Sequence, residues 1–205
     1  MLASTDKNVD VLKHWFKQMN KLGTEQQMLG GVLDEADAYR QIAVDPRHRK
    51  YSGIAMKNPR TGEVNFFIMI GHSFRVVSAV YSYNRRSALL NEILNKIFRV
   101  PANFFYDDKF GFEPGSTAQS ALDCVMFLHT ACGCDYAMKK VQLKSRPAIL
   151  GIEYDLVRQV LEIIEGRKEQ LKKEIEQILL TKRLSPGQAA KLKGKLMFAA
   201  SQLWG

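Results

Sequence analysis

The residues of this 205-residue chain best suited to chemistry lie in two acidic clusters. Leu33-Asp34-Glu35-Ala36-Asp37-Ala38-Tyr39-Arg40-Gln41-Ile42 places a carboxylate at the end of an apolar run, and Asn103-Phe104-Phe105-Tyr106-Asp107-Asp108 places two more at the end of another. A carboxylate that ends an apolar strand is costly to desolvate unless a cation or hydrogen-bond donors meet it. Two such strands side by side would bring three carboxylates together. Two Mg²⁺ (or Mn²⁺) ions resolve the repulsion, because these hard cations take oxygen ligands and keep positions open for water and phosphate. The chemistry that follows is phosphoryl transfer. One ion activates an attacking hydroxyl, and the other holds a triphosphate and stabilises the leaving pyrophosphate. A lone Asp-Asp pair is most often a solvated turn, so the weight of this reading falls on the conjunction of Asp107-Asp108 with Asp34.

The elements that must position these residues alternate between helix and strand. Residues 5–22 carry Val9, Leu12, Trp15, Phe16, Met19 and Leu22 at helical spacing behind a Ser4, Thr5, Asp6 start signal. Gly30 and Gly31 end that region, and Val32-Leu33 then form a short buried strand into Asp34. Apolar runs at 51–57 and 63–70 flank Asn58-Pro59-Arg60-Thr61-Gly62 and predict a hairpin. A long helix is expected over 76–98. A second hairpin, 103–106 with 109–112, carries Asp107 and Asp108 at its tip. Ser116 with Gln119 forms a capping box for a helix through about Cys132. Strands are expected at 136–143 and 147–153, a charged helix at 165–181 with Glu169 and Lys173 paired across one turn, and a last helix opened by Ser185, Pro186 and Gln188. Cys124, Cys132 and Cys134 complete no zinc pattern and predict reduced thiols.

Taken together, the motifs resemble those of reverse transcriptases over roughly residue 28 to the C-terminus. That family carries an apolar strand ending in Asp, then commonly three residues and Ala-Tyr-Arg-Gln, with an aromatic-x-Asp-Asp hairpin downstream. Asp34–Gln41 fits the first motif, and Phe105–Asp108 fits the second with Phe in the usual Tyr place. Ser78–Arg85 with Leu89–Ile93 is similar to the palm helix, and Leu150-Gly151 to the primer-grip hairpin. Leu184–Gly187 and Gly194–Leu196 resemble the thumb and connection of retroelement polymerases, especially tyrosine-recombinase-type and protist elements. The resemblance implies an α+β fold, with the antiparallel sheet of a polymerase palm backed by helices and a helical thumb. It implies residues 1–30 as a remnant of the fingers, 31–155 as the palm, and 156–205 as a basic thumb that is cut short.

The same resemblance implies roles for single residues. Asp34, Asp107 and Asp108 would hold metal, with the Glu35 backbone carbonyl as a fourth ligand. Ala36, Asp37 and Ala38 would turn their amides to the triphosphate, and Phe74, Arg75 and Lys140 would border the nucleotide. Tyr39 would be the gate that rejects a 2′ hydroxyl, the alternative being a plain core tyrosine. For Lys140 the alternative is a surface lysine on a strand. Two departures bear on activity: Ser73-Phe74-Arg75 stands where the family usually has Pro-Phe-Gly, and only thirty-three residues precede Asp34.

Charge points to a polyanionic partner. The net charge is +9, and the segment from Lys139 to Gly205, with fourteen Lys and Arg against seven Asp and Glu, holds +7 of it. No run approaches a membrane span and no signal peptide opens the chain, so a soluble, intracellular protein is expected. The implied function is RNA-directed DNA polymerisation with deoxynucleoside triphosphates and an RNA or DNA template-primer. The alternatives are a catalytically silent relic that only binds nucleic acid, and an RNA-directed RNA polymerase, which Tyr39 disfavours.

Overall fold

The computed structural model describes residues 5–74 and 76–203, with the side chains of Thr5 and Asp6 excepted. It is an α+β fold of antiparallel sheets and helices, as expected. The elements run α1 (Thr5–Leu22), β1 (Met28–Asp34), β2 (Gly53–Lys57), β3 (Val64–Ile68), α2 (Val77–Ile93), β4 (Ala102–Phe105), β5 (Asp108–Pro114), α3 (Gly115–Ala131), β6 (Gln142–Lys144), β7 (Ala148–Ile149), β8 (Ile152–Asp155), β9 (Val160–Ile163), α4 (Glu165–Thr181) and α5 (Pro186–Leu203). The strands form a four-stranded sheet of order β4-β5-β1-β6, a β2-β3 hairpin and a β7-β8-β9 meander. The chain divides into two compact units that interleave in sequence. One comprises 33–109 and 123–141, and the other 5–32, 110–122 and 142–203.

The first unit carries both acidic clusters. Helix α2 turns Ala79, Tyr83, Ser87 and Leu90 inward at three- and four-residue spacing. Ala38 and Tyr39 pack with Ala79 and Tyr83 on that face. A π-helical turn, Leu94–Phe98, extends α2 and ends at Arg99 in the left-handed region. Hairpin β2-β3 forms with Ala55 opposite Phe66, and every residue of β3 is exposed.

In the second unit, Asn8 of α1 donates to the Tyr154 hydroxyl at 3.0 Å, and Phe112 stacks on Tyr154 at 5.2 Å. Gly30 and Gly31 do not end the first region. They lie inside β1, opposite Lys144 and Leu143. A Cβ on Gly30 would sit 2.3 Å from Pro147 Cγ, so the glycine is there for close approach to a proline ring. The strand expected at 136–143 is instead a 3₁₀ turn, Met138–Lys140, followed by the short β6. Leu150 and Gly151, with φ of 53° and 83°, form the two-residue loop between β7 and β8, the conformation of a tight hairpin. Leucine is a costly residue in that region, and the glycine beside it is the usual one.

Capping was half legible. Ser185 and Gln188, expected to open α5, do so by a reciprocal cap: the Gln188 amide donates to Ser185 Oγ, and Ser185 N donates to Gln188 Oε1 at 3.0 Å. Ser116 does not cap α3. The helix begins at Gly115, and the Ser116 hydroxyl donates to Gln26 Oε1. The three cysteines are free thiols. No helix of the described residues is long and apolar enough to cross a membrane.

Candidate active site

Strand β1 delivers Asp34 at its last residue, and β5 begins with Asp108. Asp107 occupies the tip of the β4-β5 turn behind Tyr106, whose φ of 53° is left-handed. The Glu35 amide reaches the Asp107 carbonyl at 3.4 Å, which ties the two acid-bearing segments by their backbones. The three carboxylates lie near enough to act on one another. Desolvation, then the charges of Asp107 and Asp34, push the Asp108 carboxyl above its ordinary range, against the pull of Lys109 and Lys140.

A cleft of about 330 Å³ opens over this corner, lined by Asp34, Glu35, Ala36, Asp37, Ala38, Arg40, Phe74, Asp107, Ala137 and Lys140. Lys140, on its 3₁₀ turn and not on a strand, forms an ion pair with the Asp34 carboxylate, which raises the lysine's own pKa. Phe74 is exposed on the cleft wall. Arg75 lies outside the described residues. Asp37 adopts a left-handed φ of 52° and opens the 3₁₀ turn Ala38–Gln41.

Of the amides expected to face a ligand, that of Ala36 is already committed, donating to the Asp135 carbonyl at 2.9 Å. The reason is the side chain of Gln41. Its amide nitrogen donates to the Asp135 carbonyl at 2.9 Å and to the Ala36 carbonyl, while its Oε1 accepts from the Asp135 amide at 2.9 Å. The glutamine of the first motif thus fastens the loop after Asp34 to the segment before Lys140. The sequence marked Gln41 without indicating this use.

Tyr39 is buried behind the cleft wall, its ring 5.3 Å from Phe74 edge-on and 4.9 Å from Tyr83. Its hydroxyl pKa is raised by burial and then by the Asp107 charge. Leu150 and Gly151 belong to the other unit.

The sequence reading missed a buried ionic network under the acids. The Glu35 side chain is fully buried and accepts from Tyr83 Oη at 2.6 Å and Arg86 Nη2 at 2.5 Å. Lys109, itself 4% exposed, sits 3.5 Å from the same carboxylate and donates to Tyr83 Oη, Ser87 Oγ and the Tyr106 carbonyl at 3.1, 3.3 and 2.9 Å. Arg86 and Lys109 also flank the Tyr83 ring at 5.0 and 5.1 Å. Burial lowers the Lys109 pKa and Glu35 opposes the shift. Burial and Glu35 both push the Tyr83 hydroxyl up. A Glu after the first Asp and a Lys after the second pair were the available signal, since charges at positions that alternate into a core need partners.

Over 83% of this chain, the structure of the foamy viral protease-reverse transcriptase in complex with RNA/DNA hybrid superposes with a TM-score of 0.63 at 12% identity. A second structure of that protein, in complex with double-stranded DNA, covers 85% with a TM-score of 0.64, again at 12% identity. The fold is reverse-transcriptase-like. The chain spans 21% and 28% of the lengths of those two solved chains. No family model matches its sequence, and no curated protein does.

The fit of the cleft to metal has two sides. The donors are right: oxygen-only and mutually repelling in the way a divalent cation relieves. Their arrangement is open, because among the described residues no three His, Cys, Asp or Glu side chains are gathered closely enough to hold an ion. Lys140 supplies the positive charge at Asp34.

Proposed function

We propose that this chain is the catalytic region of an RNA-directed DNA polymerase, which transfers a nucleotide from a deoxynucleoside triphosphate to a primer 3′ hydroxyl. The observation that carries the reading is that Asp34 and Asp107 line one cleft of a reverse-transcriptase-like fold, with Asp108 close enough for both their charges to act on its carboxyl. The neighbours' complexes with RNA/DNA hybrid and double-stranded DNA support a nucleic-acid partner. So does the excess positive charge of residues 139–205.

In this mechanism Asp34, Asp107 and Asp108 would hold two Mg²⁺ or Mn²⁺ ions, with the Glu35 backbone carbonyl as a fourth ligand. When bound, the metal lowers the pKa of the attacking hydroxyl and neutralises charge on the triphosphate. Lys140, paired with Asp34 in this structure, would be the residue to offer an ammonium to the phosphates. Asp37 and Ala38 border the triphosphate and Phe74 the nucleotide. The Tyr39 ring fills the space a 2′ hydroxyl would need. Leu150-Gly151 bears on the primer end. Contacts of the basic C-terminal third are to phosphate and sugar, so binding weakens steeply with salt and carries no sequence preference.

The Asp34–Lys140 ion pair favours a second reading, a protein that binds nucleic acid but performs no transfer. Primer extension on an RNA template with Mg²⁺ separates the two, run beside Asp107→Asn and Arg75→Gly. The polymerase reading expects extension that falls to background in Asp107→Asn while salt-sensitive binding persists. Extension that survives Asp107→Asn refutes the metal assignment. Absence of extension in the unaltered protein and in Arg75→Gly alike favours the silent binder.

A further inference from the structure

Tyr39 makes its two aromatic contacts with rings of different standing. Phe74 is 66% exposed, whereas Tyr83 is wholly buried. The exposed Phe74 constrains the ring of Tyr39 less than its buried side does, where it packs with Ala79 and with Tyr83, 4.9 Å away. The place of Tyr83 is set in turn by polar contacts at its hydroxyl, which donates to Glu35 Oε2 at 2.6 Å and accepts from Lys109 Nζ at 3.1 Å. Both of those groups belong to the acid-bearing segments: Glu35 adjoins Asp34, and Lys109 adjoins Asp108. Lys109 also holds the Tyr106 carbonyl at 2.9 Å, which fixes the left-handed turn that presents Asp107.

We infer that Tyr83, with Glu35 and Lys109, is a sugar-selecting positioning unit: it holds the Tyr39 ring in fixed relation to the carboxylates, so deoxyribose preference depends on the Tyr83 hydroxyl as well as on Tyr39. The inference rests on the polymerase reading. Its physical basis is that a steric gate discriminates only if it cannot yield, and an aromatic contact alone lets one ring slide over another. A hydroxyl fixed between a buried carboxylate and a buried ammonium removes that freedom, because either partner left unmet in the interior is costly. Glu35 is itself pinned by Arg86 at 2.5 Å, so the anchor does not drift with the ring.

The test uses the full chain on an RNA template with a dideoxy-terminated primer and Mg²⁺, so that the next nucleotide binds without transfer. Dissociation constants are measured for the complementary deoxynucleoside triphosphate and its ribonucleotide counterpart. Thermal midpoints of all variants are taken in parallel. Tyr83→Phe keeps the ring and deletes the anchor. Its preference for the deoxy form is expected to fall about tenfold, through tighter ribonucleotide binding, as loss of one buried hydrogen bond to a charged group predicts. Lys109→Met, which leaves the Glu35–Arg86 pair in place, is expected to move the ratio in the same direction by less. A purely structural role would weaken both nucleotides together and leave the ratio unchanged. If the unaltered protein discriminates and both variants keep its ratio, the inference is overturned and the polymerase reading stands. If the unaltered protein binds neither nucleotide in a metal-dependent way, the polymerase reading falls and takes this inference with it.

Discussion

Two sets of ion pairs built from the same residue types behave oppositely in this molecule. On α4, Glu165 pairs with Lys168 at 3.0 Å and Glu169 with Lys172 at 2.9 Å, all four side chains about half exposed. Under the cleft, Glu35 meets Arg86 and Lys109 with almost no access to water. Solvent screens the first set, which contributes little, while the second has already lost its hydration and depends wholly on its partners. Charge count alone therefore says nothing about which acids matter. Burial decides it.

The sharpest way to break this comparison is to remove the buried anion. Glu35→Gln leaves Arg86 and Lys109 facing each other without a counter-charge, and denaturant unfolding should show a loss of about 3–5 kcal/mol. Lys109→Met leaves a one-to-one pair and should cost distinctly less by the same measurement. Restoration of most of the Glu35→Gln loss by adding Lys109→Met would show that the excess cation, and not the lost hydrogen bonds, sets the cost.

A half-buried carboxylate that meets a hydroxyl gives an intermediate case. Glu113 has its pKa raised by desolvation, and the Thr117 hydroxyl at 2.9 Å only partly offsets this. A carboxyl whose folded pKa is raised stabilises the fold at pH values below its unfolded pKa and loses that contribution as pH rises through the folded value. Glu113→Gln should therefore raise the thermal midpoint at pH 7 and leave it nearly unchanged at pH 4. At the small end, Glu169→Gln on α4 should change stability by less than about 0.5 kcal/mol, with the difference vanishing in high salt.

The same contrast explains what the sequence disclosed. The α4 run announced itself because its charges are neighbours along the chain, although the pairing is Glu169 with Lys172 where Lys173 was expected. The acidic motifs were legible as contiguous strings, and the structure brings Asp34, Asp107 and Lys140 to one cleft from distant segments. The Glu35 network was hidden because its members, Glu35 just past β1, Tyr83 and Arg86 on α2, and Lys109 on β5, lie on segments that meet only after folding. Gly30 misled for a related reason. Its need is set by Pro147, more than a hundred residues away, and locally it looks like a breaker. The 3₁₀ turn at Met138–Lys140 was read as strand because it lies in an apolar-rich run whose end, from Gln142, does form one.

The interleaving of the two compact units has a consequence for biosynthesis. The chain passes between them at 32/33, 109/110, 122/123 and 141/142, so a ribosome never releases one complete unit before starting the other. When Asp108 emerges, Asp34, Asp107 and Asp108 are all in existence, but the segment that Gln41 clasps and the lysine that pairs with Asp34 are still untranslated. The nascent chain must therefore carry its acidic corner unassembled until residue 141 is free, the interval in which a partly folded intermediate is most open to aggregation and to chaperone capture.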